Sequence, residues 1–243
     1  AGQCPIKVSV PTFRAQFLQA YHTRYARPIK DWLISTLEFI VPFAAQVPGL
    51  YNGLVDGRLG RAALKRLGMV DSPRLTGTDP HRAAVEAGFR VTQLSDLQAM
   101  ARNEPDRFAR QVVVVQDAFT SYFETSLVID VLRLLKRSGF EPTVLPFRAN
   151  GKPLHVHGFL GWFQRVADKQ VRTLNHLDAL GVPLVGIDPS MTLTYRSEYL
   201  EAGLRPPKVW LIQEFLMSRQ AELSITARLP VRRFSLLAHC TEA

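Results

Sequence analysis

Residues 111–116 read QVVVVQ, four valines bracketed by two glutamines. Consecutive β-branched residues pack well on a pleated surface and are stiff at χ1, so the run favours a strand. Nothing polar alternates with the valines. Such a strand needs apolar cover on both faces, which is the situation of a buried parallel strand. The neighbouring segments must therefore supply helices to cover it.

The sequence does so repeatedly. SLVIDVLRLLKRSG (126–139) has helical spacing and closes on Gly139, and PTVLPF (142–147) is a second strand. A long helical stretch runs from about Gly158 to Leu180, and VPLVGID (182–188) is a third strand. MTLTYRSEYLEAG (191–203) reads as a helix, KVWLI (208–212) as a strand, EFLMSR (214–219) as a helix and RRFSLLAHC (232–240) as a fifth strand. Strands alternating with helices at this spacing predict right-handed crossovers and a doubly wound, Rossmann-like parallel sheet, an α/β fold. In such sheets functional residues lie at the carboxyl ends of the strands. That places Gln116–Asp117, Asp188–Pro189 and His239–Cys240 on one rim.

Ahead of residue 110 the rhythm is helical. Phe13, Phe17, Ala20, Tyr21 and Tyr25 recur at spacings of three and four, one apolar stripe on a helix. IKDWLISTLEFIVPFAAQV (29–47) continues helically and is predicted to kink or break near Pro42. VPGLYNGLVDG (47–57) reads as turn-rich, and RLGRAALKRLG (58–68) as a short helix closed by Gly68. A loop runs from Asp71 to Pro80, and Ser95 is the expected N-cap of the helical turn SDLQAMA (95–101).

The chain carries 30 Lys and Arg against 21 Asp and Glu, a formal charge of +9, but the cations are scattered. The tightest cluster, Arg228, Arg232 and Arg233, has a single aromatic beside it, Phe234. Nucleic-acid footprints concentrate charge on one element, so a solvated basic surface or an acidic protein partner is the expectation, without nucleic acid. No apolar run is long enough to span a membrane, and the first residues, lacking a charged region followed by an apolar one, are not expected to be a signal peptide. No G-x-G-x-x-G succeeds the first strand, where QDAFTSYFET (116–125) stands instead, so a nucleotide pyrophosphate lacks its cradle. P-loop, G-x-S-x-G and zinc spacings are absent, and no catalytic residue is assigned. His155 and His157 share a side if extended, yet hydrogen-bonded surface or loop histidines are the expected reading. Glu124 and Glu198 read as solvated helix charges.

The only thiols, Cys4 and Cys240, stand within four residues of the two ends. Two cysteines so far apart make no disulfide framework. Taken alone, each reads as a small buried hydrophobe. The order of stretches says more. QCPIKVSVPTFRAQFLQAYHTRYARPIKD, VVVVQDAFTSYFET, VLPFRANGKPLHVHGF, PLVGIDPSMTLTYRSEY and HCTEA resemble the C-terminal region of large bacterial FAD-linked oxidoreductases of the D-2-hydroxyglutarate dehydrogenase and glycolate oxidase type. The resemblance covers nearly the whole chain and is weakest between about Thr76 and Arg110.

In that family an FAD-binding domain precedes a ferredoxin-like 4Fe–4S segment and a cysteine-rich domain with Cys-Cys-Gly motifs. Ferredoxin segments end in Cys-Pro. The resemblance thus implies that Cys4-Pro5 is the last ligand of a 4Fe–4S cluster whose other ligands lie upstream. His239-Cys240 resembles the opening of a cysteine-rich half-motif, which makes Cys240 a candidate metal or cluster ligand. One departure stands out: related domains often carry a Cys in the turn that here reads DPSMTLTY. Residues 1–109 are thus expected to be a helical segment beginning at the tail of a ferredoxin-like motif. Residues 110–243 are expected to be a truncated α/β domain of the cysteine-rich type.

The resemblance implies a parent enzyme that oxidises a D-2-hydroxy acid, D-2-hydroxyglutarate first, to the 2-oxo acid using FAD and a 4Fe–4S cluster. This part would serve electron transfer and structure, with no cofactor bound to it alone and no activity by itself. Its partner would be an upstream FAD-binding domain in the same chain or a flavoprotein subunit. The resemblance places it in the cytoplasm, with the surface of the inner membrane as the alternative. A second class stays open: a non-catalytic basic module docking on a separate flavoprotein.

Overall fold

The computed structural model describes residues 9–70 and 72–223. Among the described residues five parallel strands form one sheet: β1 (Arg90–Val91), β2 (Gln111–Val115), β3 (Glu141–Val144), β4 (Leu184–Gly186) and β5 (Val209–Leu211). Their spatial order is β1-β3-β2-β4-β5. The valine run is the centre of this sheet. Val114 pairs with Val144 of β3 on one side and with Val185 of β4 on the other.

Every residue of β2 is buried, and alternate valines face opposite cores. Val112 and Val114 pack with Val144, Val185 and the helix Thr125–Arg137 through Val128, Leu132 and Leu135. Val113 and Val115 pack with Leu184, Val209 and the helix Leu160–Asp178 through Phe163, Ala167 and Leu174. Cover on both faces is what an unbroken apolar strand requires. The doubly wound α/β fold is thus present.

The expected strand RRFSLLAHC lies outside the described residues. One feature of the sheet differs from the sequence expectation: a strand comes from the region read as helical, where Arg90–Val91 pairs with Thr143–Val144. Two residues are too few to show a period. Tertiary contacts fix them, with Thr92 N–H donating to the Val144 carbonyl at 2.9 Å and the Thr92 and Thr143 hydroxyls 2.6 Å apart.

The helical part also differs in detail. The break in 29–47 falls at Thr36, between helices Ile29–Ser35 and Leu37–Ala44, and Pro42 stands inside the second. Ser35 and Thr36 hydroxyls both donate to the Trp32 carbonyl, at 3.1 and 2.6 Å, and such side-chain bonds compete with helix continuation. The stretch read as turn-rich is the helix Pro48–Asp56, started by a proline at its first position. The helix closed by Gly68 is present as Arg58–Arg66. Gln93, not Ser95, caps the helix Leu94–Asn103, with the Asp96 carboxylate accepting from Gln93 N–H at 2.9 Å. The single helix expected over 191–203 is three short pieces: Pro189–Leu193, a 3₁₀ turn Thr194–Arg196, and Glu198–Glu201.

The apolar stripe of the first helix, Val10–Tyr21, points away from the protein: Phe13, Phe17 and Tyr21 are exposed. The opposite face, Thr12, Ala15 and Leu18, makes the packing contact. It does so because residue 158 has no side chain. A Cβ on Gly158, which has a φ of +71°, would lie 2.7 Å from Leu18 Cβ and 2.8 Å from the Ala15 carbonyl oxygen. Arg27 completes this joint, donating to the carbonyls of His157 and Gly158 while lying 3.9 Å over the Phe159 ring.

Candidate functional site

The carboxyl ends of β2 and β4 are neighbours, and each ends in an aspartate that caps the next helix. Asp117 Oδ1 accepts from the N–H groups of Phe119 (2.8 Å) and Thr120 (2.9 Å), and Oδ2 accepts the Thr120 hydroxyl. Asp188 Oδ1 accepts from Met191 N–H at 2.7 Å. Gly186 lets the helix Pro189–Leu193 fold back on the strand end, since a Cβ there would meet Thr192 Oγ1 at 2.1 Å. Beside them Gln116 Oε1 accepts the Ser121 hydroxyl (2.9 Å), and its Nε2 donates to the Leu145 carbonyl (2.9 Å). Asp117 and Asp188 therefore share a rim, as expected. Cys240, expected beside them, and Cys4 both lie outside the described residues.

A third carboxyl joins this rim from the helical part. Glu38, on helix Leu37–Ala44, is 1% exposed. Its Oε1 accepts Asn150 N–H at 3.1 Å and its Oε2 accepts Gly151 N–H at 2.7 Å. Burial pushes its pKa up to about 7, outweighing the two N–H groups that favour the anion, with Asp117 adding a small push in the same direction. Burial likewise raises Asp117, against the Thr120 hydrogen bonds and with a push from Asp188. Asn150 ties the rim together: its amide donates to the Met191 carbonyl (3.0 Å), and its own carbonyl accepts the Tyr199 hydroxyl (2.7 Å).

Next to Asn150, Lys152 forms an ion pair with Glu198, and Ser197 donates to the same carboxylate. Burial alone would raise Glu198, but Lys152 and Ser197 outweigh it and hold its pKa below the usual value. Glu198 is thus a buried, paired group and not the solvated helix charge expected; Glu124 is exposed, as expected. His155 and His157 are not extended but sit on the helix Lys152–Val156 and its C-cap. His155 is buried edge-on to Phe163 with Nδ1 unpartnered, and His157 Nδ1 lies 3.3 Å from Asp31. Burial lowers the pKa of both imidazoles, against the pull of Glu198 and Asp31 respectively.

This arrangement holds elements together. Among the described residues no three His, Cys, Asp or Glu side chains converge on a metal position. The turn after β2 does not fit a dinucleotide either. The helix N–H groups that would hold a pyrophosphate are taken by the Asp117 carboxylate, which would repel the phosphates. Sequence reading missed Glu38, Asn150 and the Lys152–Glu198 pair. The signal available was FRANGKP, an Asn-Gly turn ahead of a proline, but its partner carboxyl is more than a hundred residues away.

The whole chain is similar to one quarter of the bacterial D-2-hydroxyglutarate dehydrogenases. The protein of that name from Pseudomonas putida is 44% identical over 245 residues, covering 100% of this chain and 24% of the relative. Those from Escherichia coli and Pantoea ananatis are 40% and 41% identical, each covering 99% of this chain and 24% of the relative. The chain thus spans about a quarter of the length of the curated relatives it matches. No family model and no solved structure matches it. No helix among the described residues is long and apolar enough to cross a membrane.

Proposed function

We propose that this chain is the C-terminal part of an FAD- and iron–sulfur-dependent dehydrogenase that oxidises D-2-hydroxyglutarate to the 2-oxo acid. The observation that supports it is the match over its entire length to proteins bearing that name, at 44% identity in the first of them. In this reading the C–H bond is broken elsewhere in the polypeptide, in an upstream flavin-bearing portion. Residues 1–243 serve electron transfer and structure. Cys4 is the last thiolate of a 4Fe–4S cluster, and Cys240 is a candidate ligand within the 110–243 domain. The flavin supplies two-electron acceptance and the cluster one-electron transfer when bound. The cytoplasm is the setting, with the inner-membrane surface as the alternative.

The net charge of +9 favours a second reading, a basic module docking on a separate flavoprotein. One set of measurements on the polypeptide of the whole reading frame decides between them. The proposal expects a flavin, turnover of D-2-hydroxyglutarate, and a cluster signal in electron paramagnetic resonance that Cys4→Ser removes while flavin content stays. A polypeptide without flavin, or a cluster signal indifferent to Cys4→Ser, overturns it.

A further inference from the structure

The first helix carries its aromatic residues on the wrong side for a self-contained protein. Val10, Phe13, Phe17 and Tyr21 recur at spacings of three and four and are 66, 64, 54 and 43% exposed. Phe17 stacks on Tyr21 at 5.9 Å, and Tyr21 on Tyr25 at 4.5 Å, so the rings form one ordered ladder. The position of the helix is held from the other side, by Ala15 and Leu18 against Gly158. The stripe is therefore presented outward by a packed joint. Five of the exposed large hydrophobics, Val10, Phe13, Phe17, Tyr21 and Tyr25, lie in this one stripe, which is not the ordinary scatter of single residues.

We propose that this stripe, Val10 to Tyr25, is the docking surface for the upstream flavin-bearing portion of the same polypeptide, an inference that rests on the proposed dehydrogenase function. Three considerations select that occupant. The curated relatives are about four times as long as this chain, so a large partner is expected to be covalently attached. A tethered partner acts at roughly millimolar effective concentration, and a modest apolar face suffices to hold it. Residues 9–30, which carry the stripe, hold Arg14, Arg24, Arg27 and Lys30 and no acid. The matching face is thus apolar with a rim of carboxylates.

The test places a photo-reactive benzoylphenylalanine at position 17, and separately at position 13, in the full-length polypeptide, and identifies the linked peptides by mass spectrometry. Both positions are exposed, so neither probe disturbs the core. The expected result is a link within one polypeptide to a segment upstream of residue 1. Phe13→Asp with Phe17→Asp should speed amide exchange over 10–21 by roughly tenfold, with the sheet unchanged. Links to a second copy, to residues 224–243, to added anionic vesicles, or to nothing overturn the proposal. Flavin content is read on the same samples. Flavin present with links elsewhere refutes the docking alone; upstream links without flavin refute the functional reading and leave the docking.

Discussion

At Glu38 a carboxyl group with almost no contact with water is held by two backbone N–H groups, and its pKa of about 7 against an ordinary 4.5 has a measurable consequence. The folded protein holds this proton more tightly than the unfolded chain. Its contribution to stability is therefore complete below about pH 4.5 and is lost as pH rises through about 7, a difference of roughly 3 kcal/mol. His155 and His157, with lowered pKa values, act in the opposite sense, so the difference between variants is the informative quantity. Glu38→Gln should lose about 1–3 kcal/mol at pH 5, because its amide faces an N–H donor, and should close the gap with the parent as pH rises to 8. Urea denaturation across that range checks it; a gap independent of pH would contradict the assignment. The Lys152–Glu198 pair makes a second test. Lys152→Met leaves a buried carboxylate unpaired and should cost about 3–5 kcal/mol, and adding Glu198→Leu should recover most of it.

The element-scale decision is which face of the helix Val10–Tyr21 packs. Periodicity correctly finds the stripe Phe13, Phe17, Tyr21, but periodicity carries no direction. The small face wins because Gly158 admits the helix backbone to within contact distance. Gly158→Ala should cost about 1–3 kcal/mol, as a left-handed position and a close approach are both violated. The loss should be local: amide exchange should rise in 10–21 and not in β2. Uniform acceleration would mean that the helix is not a separately held element. The same logic explains why the break in 29–47 sits at Thr36 and not at Pro42. Hydroxyl bonds to the Trp32 carbonyl end the first helix before the proline is reached.

At the scale of the whole molecule, both faces of β2 are covered by helices of this chain, and the described rim carboxylates Asp117, Asp188 and Glu38 are engaged as caps or clasps. The 243-residue chain should therefore fold by itself and purify colourless, without dehydrogenase activity. A visible spectrum after anaerobic purification checks this. A band near roughly 400 nm, where thiolate–iron charge transfer absorbs, that scales with protein would refute it.

Within the sequence, QVVVVQ and the helices around it determined the α/β class, because a strand without polar alternation can exist only between two covering layers. The wording of the stretches likewise carried the similarity to the dehydrogenases, and strand order brought Asp117 and Asp188 to one rim. Three things belonged to the tertiary structure alone. Arg90–Val91 became a strand through Thr143, too short to carry a period of its own. Glu38 and Asn150 became partners across 112 residues, a separation that no local spacing encodes. The aromatic stripe turned to solvent because a glycine 143 positions beyond Ala15 admits the helix's other face. In each case the deciding energy is a contact between distant residues, and a linear pattern records only what neighbours share.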